Sequence, residues 1–145
     1  MLKLSKKADY GLIALKHLAK HYGEGAYSAA DIAEQYCISA PLLAKVLQKL
    51  ARHGLLAARH GSTGGYTLAK DPAEISALEA ISAIEGPLFI TSCKTNRGDC
   101  EQTLTCTVRE PLRRVNESIL QVLSLVTISQ IAEESRPGGI VELRI

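Results

Sequence analysis

Residues 28–69 confine this chain to a narrow set of folds. They hold a short capped helix, a tight turn, a second helix with one apolar and one polar face, and a glycine-rich hairpin, in direct succession. Ser28 with Asp31 reads as a capping box and Tyr27 with Ile32 as a hydrophobic staple, so a helix is expected to about Tyr36. Cys37-Ile38-Ser39 forms a turn. Ser39 then caps a helix that accepts Pro41, because first-turn amides have no intrahelical partner, and Gly54 stops it. Leu43, Val46, Leu47 and Leu50 recur at helical spacing and must face a core, leaving Pro41, Ala44, Lys45, Gln48 and Arg52 opposite. A short helix, a tight turn and a half-basic second helix make a helix-turn-helix.

Leu55–Arg59 and Tyr66–Ala69 flank His60-Gly61-Ser62-Thr63-Gly64-Gly65, whose glycines supply the positive φ that a loop between paired strands needs. This hairpin reads as a wing, with Arg59 and His60 at its start, in reach of a minor groove or its phosphates. Candidate DNA contacts are therefore Ser39, Pro41, Lys45, Gln48, Lys49 and Arg52 on the second helix, with Arg59, His60 and Ser62 on the wing. A basic row can be no more than a solvated helix face, but its place directly after the turn favours DNA. One Phe and no Trp leave little aromatic surface for stacking on unpaired bases, which points to duplex rather than single-stranded DNA. The formal charge of +2 decides nothing; the placement of Lys and Arg does.

Before this unit, Ser5 caps a first helix carrying Tyr10, Ile13, Ala14 and Leu18 inward and ending near Gly23 and Gly25. After it, Ser76 to Glu85 gives a fourth helix closed by Gly86-Pro87. Val108, Leu112, Val115, Ile119, Val122 and Val126 then alternate steps of four and three, the seam of a short coiled coil. Thr127 and Gln130 form a second capping box, so the long helix is expected to end near Val126 and a short one to start at Ile128. The tail after Pro137-Gly138-Gly139 is apolar enough to pair as a strand. At 145 residues the chain suits one core with an appended helix. The expected fold is mainly α: a winged helix-turn-helix over 1–86, a cysteine-rich loop over 87–107, a dimerisation helix and short following helix over 108–136, and a tail over 137–145. Lys16 and Lys20 interrupt the first apolar segment, so no secretory start is read; a cytoplasmic protein without a membrane partner is expected.

Cys93, Cys100 and Cys106 crowd between two helical segments, and in a reducing compartment clustered thiols more often bind metal or sense redox state than form disulfides. Soft thiolates suit iron-sulfur clusters, zinc and copper(I) alike. Structural zinc prefers Cys-x-x-Cys pairs, whereas here six residues separate the first two cysteines and five the last two, which favours a cluster over zinc. Cys37, among apolar neighbours, is expected to be a small buried core residue. His17 and His21, late on the first helix, are expected to complement its terminal carbonyls rather than bind metal. An enzyme is not expected. The glycine run lacks the Lys-Ser/Thr pair that opens a helix in a phosphate loop, and no strand-turn-helix nucleophile elbow occurs.

Leu47-Gln48-Lys49-Leu50-Ala51-Arg52-His53-Gly54-Leu55-Leu56, Gly61-Ser62-Thr63-Gly64-Gly65-Tyr66-Thr67-Leu68-Ala69-Lys70 and Pro72-Ala73-Glu74-Ile75-Ser76, with three cysteines downstream, resemble the Rrf-two family of winged-helix regulators, the IscR-, NsrR- and RirA-like proteins. The start from Leu2 to Gly11 and the cysteine loop are most similar to the branch that regulates the SUF iron-sulfur assembly operon. The resemblance implies a homodimer joined through the long helix, double-stranded DNA as partner, and an iron-sulfur cluster, 2Fe-2S or 4Fe-4S, held by Cys93, Cys100 and Cys106. IscR-like members place a His ligand three residues after the last cysteine; here that position is Arg109, which stays protonated and cannot ligate. NsrR-like members take an Asp from the partner's first helix, and the matching residue is Asp9. Asp9 in a first helical turn also suits the helix dipole without any ligand role. Ala44 stands where IscR-like members carry a base-facing Glu, and His60 where they present an Arg to the minor groove, so their operator does not transfer. The function expected is a dimeric repressor of iron-sulfur assembly genes. The alternatives are a regulator of the same fold with zinc or a thiol switch, and a winged-helix protein-interaction module.

Overall fold

The computed structural model describes residues 4–89 and 107–133. Cys93, Cys100, Cys106 and the expected tail strand lie outside the described residues. Helix α1, Lys6–Lys20, opens with the Ser5 hydroxyl accepting from the Ala8 N–H at 3.2 Å. Ala14 and Leu18 are buried as expected, Tyr10 and Ile13 only half-buried, and Ala8, Gly11, Leu15 and His17 are buried too. The inward stripe is this broad because α1 is gripped by later helices on more than one side. A β-carbon on Gly11 would stand 2.2 Å from Ile84 Cδ1 and 3.2 Å from Val46 Cγ1, so a bare backbone lets three helices meet there.

Helix α2, Ala29–Tyr36, carries the expected capping box, with Asp31 N–H donating to Ser28 Oγ and Ser28 N–H to the Asp31 carboxylate. It ends on Cys37 in the left-handed region, φ 55. Cys37 is exposed, which corrects the buried role expected of it. A residue that closes a helix in this conformation turns its side chain outward, and the next residue returns to the core. Here that is Ile38, whose N–H reaches the Ala33 carbonyl at 2.9 Å and whose side chain packs on the core.

Helix α3, Ala40–Arg52, buries Leu43, Val46, Leu47 and Leu50. Strands β1, Leu56–Arg59, and β2, Gly65–Leu68, pair antiparallel from Leu56↔Leu68 to Arg59↔Gly65. Tyr27 adds a bridge to Tyr66 through two N–H···O bonds of 3.1 and 2.8 Å, tying the start of α2 to the wing. A β-carbon at Gly65 would meet the Tyr27 carbonyl at 2.4 Å, so this third pairing requires glycine.

A short 3-10 turn, Pro72–Glu74, leads into α4, Ala77–Glu85, capped by Ser76 and closed at Gly86 with φ 81. Helix α5, Arg109–Leu125, packs on α4, and α6, Ile128–Glu133, returns to α1 and the 3-10 turn. The Thr127–Gln130 box closes on both sides. Ile128 is fully buried, so α6 belongs to the core built by Leu15, Ile32, Leu43, Leu47, Leu50 and Ile75. Each such Leu or Ile contributes about 1.5–3 kcal/mol by leaving water.

The seam on α5 is split. Leu112, Ile119 and Val126 are half-buried, whereas Val108, Val115 and Val122, seven residues apart, are exposed at 52%, 47% and 37%.

His17 departs from its expected role. It is buried, its Nδ1 lies 2.9 Å from the Tyr36 hydroxyl, and Tyr27 meets its ring edge-on at 4.7 Å. Burial first, then the charges of His21 and Lys20, lower its pKa below the ordinary value. The unfolded chain therefore takes up a proton near pH 6.5 that the folded chain still refuses. Stability should fall as pH drops below about 7 and level off below the folded pKa. In His17→Gln, urea midpoints between pH 7 and 5 should show a shallower loss; an unchanged slope would separate burial of this ring from proton uptake.

Candidate DNA interface

The helix-turn-helix and wing place most of the predicted contacts outward. Ser39, Pro41, Lys45, Gln48 and Arg52 are exposed on α3, and Ala44 is half-buried between them. The opposite face is fully used by the core, so α3 has an apolar side fixed in the protein and a polar side left to solvent. Ser39 occupies the cap position with extended backbone, but its hydroxyl makes no capping bond, contrary to expectation. The Leu43 N–H still closes on the Ser39 carbonyl at 2.9 Å, so the backbone holds the first turn unaided.

The wing starts close behind. Leu55 N–H donates to the Leu50 carbonyl at 3.1 Å, Gly54 takes φ 79, and β1 then carries Arg59 to the exposed tip. His60 and Ser62 are exposed there, and Gly64 N–H closes the tip on the Gly61 carbonyl at 3.0 Å. The short turn at Gly54 makes the orientation of the wing follow that of α3.

Lys49 does not join the outward row. It is half-buried, and its ammonium donates to the Ile84 carbonyl in the last turn of α4 at 3.3 Å. His53 was also missed: its Nδ1 lies 2.9 Å from the Lys49 carbonyl and completes the end of α3. Its signal was available, since a histidine just past a helix end can bond the terminal carbonyls.

Asp9 is exposed in the first turn of α1, and Arg109 is exposed as the first residue of α5. Among the described residues, no group of three or more His, Cys, Asp or Glu is placed to hold a metal ion. The predicted cysteine ligands lie between the end of α4 and the start of α5, outside those residues. Among the described residues, no helix is long and apolar enough to cross a membrane.

The Rrf2 family model, described as an iron-dependent transcriptional regulator, matches residues 4–134. The IscR transcriptional regulator of Serratia proteamaculans is 31% identical over 130 residues, covering 90% of this chain and 79% of that protein. Among solved structures, CymR, the global cysteine regulator of B. subtilis, aligns with a TM-score of 0.75 at 31% identity, covering 94% of this chain and all of that one. IscR of T. potens aligns at 0.74 and 29%, covering 97% and 93%. With the family model matched over residues 4–134 and a relative 31% identical over 90% of the chain, this chain belongs to the Rrf2 family of transcriptional regulators.

Proposed function

We propose that this chain is a dimeric reader of duplex DNA that represses iron-sulfur assembly genes and senses an iron-sulfur cluster, 2Fe-2S or 4Fe-4S. The carrying observation is the exposed row Lys45, Gln48 and Arg52 on a helix whose other face is locked in the core. Arg59, His60 and Ser62 extend the same chemistry on the wing, and Ser39 and Pro41 stand at the leading end of α3. Cys93, Cys100 and Cys106 would hold the cluster, a donor set whose soft thiolates match iron-sulfur chemistry. Asp9 of the partner subunit would be the fourth ligand. Bound, the cluster supplies a reversible, oxygen-sensitive charge and a crosslink between segments. The protein's part is coupling: a dimer geometry favoured by the loaded loop alters the separation of the two α3 helices, and DNA affinity follows.

A second reading has specific support. CymR of Staphylococcus aureus, a structural neighbour at 28% identity and TM-score 0.73, has been solved in an oxidized form, and a redox response of that kind in this chain would fall to its cysteines. Visible absorbance of anaerobically purified protein separates the two, since only a cluster colours it.

Three outcomes are expected. Lys45→Ala or Arg52→Ala should weaken specific and random DNA alike and lower the salt slope by about one unit each. Unchanged binding in both would remove α3 from the groove. Val115→Asp and Val122→Asp should yield folded monomers by light scattering, because charge lands on the row that α4 does not cover; intact dimers would put the interface elsewhere. Cys93→Ala, Cys100→Ala or Cys106→Ala should abolish the visible bands and Cys37→Ala should keep them, whereas Asp9→Ala should alter the spectrum and shorten cluster lifetime in oxygen. A native spectrum in Asp9→Ala would assign the fourth ligand to another group.

A further inference from the structure

The last turn of α4 holds a polar tie to α3 beside the apolar packing that α3 makes with α1 and α2. The final carbonyls of a helix have no intrahelical donors and carry its partial negative charge. Helix α4 has no basic residue of its own in that turn. Lys49 supplies one from α3, donating to the Ile84 carbonyl in a half-buried setting. The neighbouring Glu85 carboxylate accepts from the Ser5 N–H at 2.8 Å, holding the start of α1 to the same turn. Between these two ties, Ile84 reaches the place where a side chain on Gly11 would have stood. One residue later, at Gly86, the chain leaves α4 for the cysteine segment.

We infer that Lys49 is a positioning residue for DNA recognition. It sets the angle of α3 by anchoring it to the end of α4, and it does not contact phosphate. The helix it anchors to, α4, is the one that precedes the cysteine segment in the chain. The inference rests on α3 being the DNA reader, as proposed above.

A phosphate contact and a positioning tie leave different marks. Loss of a phosphate contact weakens all sequences equally and reduces the salt slope, whereas a tilted α3 loses base contacts while its outward cations still meet the backbone. The probes are a duplex selected by the wild-type protein from a random pool and a scrambled duplex of equal length, titrated by fluorescence anisotropy over a range of salt. Lys49→Met should lower the selected-to-scrambled affinity ratio about tenfold, the order of one base-pair mismatch, with the salt slope unchanged. Lys49→Arg, which keeps a cation able to reach the carbonyl, should restore most of that ratio. Lys49→Gln, which keeps a donor without charge, should fall between them and provides the same reading if the Met variant folds poorly. Equal weakening of both duplexes with a slope lower by about one would make Lys49 a phosphate contact and overturn the inference. So would an unchanged ratio. Lys45→Ala run in parallel separates the two levels: if it weakens binding while Lys49→Met leaves the ratio intact, only the positioning role falls. If neither variant changes binding, DNA reading by α3 falls with it.

Discussion

The contact of α1, α3 and α4 at Gly11 sets the geometry on which the rest of the molecule depends. With no β-carbon there, Ile84 and Val46 close over the α1 backbone, and α3 is held against two other helices. The junction, together with the packing of α3 on α2, leaves its polar face outward. Its core residues Leu43, Val46, Leu47 and Leu50 are nearly or fully excluded from water, so rotating α3 to present another face would return all four to solvent. The cost would run to several kcal/mol at about 1.5–3 kcal/mol per side chain.

The chain closes on this junction from both ends. Ser76 bridges Thr127, with the Ala77 N–H on the Val126 carbonyl at 2.8 Å and the Ile128 N–H on the Ile75 carbonyl at 2.9 Å, so α6 is stitched to the start of α4 by backbone bonds. Helix α5 packs on α4 and ends at that stitch, with its Leu112 and Ile119 row half-buried and its Val115 and Val122 row exposed. Its polar side is ordered by Arg113, which pairs with both Glu110 and Glu117 at helical spacing. The helix is thus fixed at one end by a backbone bridge and carries an exposed apolar row on its outer side.

Much of this was legible in the sequence, and the legible parts are those written locally. The capping boxes at Ser28 and Thr127, the stop at Gly54, the apolar period on α3 and the positive φ of Gly61 and Gly65 in the wing each depend on residues a few positions apart, and each forms as expected. The errors came where a local pattern was decided by a distant partner. Cys37 had apolar neighbours, but the left-handed turn spent the inward position on Ile38. His17 looked like a helix-end cation, but it packs with Tyr27 and Tyr36 from outside its helix, and its burial, with His21 and Lys20 nearby, lowers its pKa. The a/d seam counted as one stripe because sequence period does not say which of its two rows α4 covers.

Lys45 and Lys49 show why the interface was harder to read than the fold. At about 100° per residue, Arg52 lies roughly 20° to one side of Lys45 and Gln48 roughly 60° to the same side, whereas Lys49 lies roughly 40° to the other. That puts Lys49 at the border of the polar face, toward the buried Val46 and Leu50. A border lysine can lay its methylenes along apolar surface and send its ammonium either way, and the choice falls to whichever acceptor lies within reach. The carbonyls at the end of α4 supply that acceptor, and no helical wheel drawn for α3 alone contains them. Spacing therefore marks which side of α3 is polar, while the neighbouring helix decides which of its cations stay exposed.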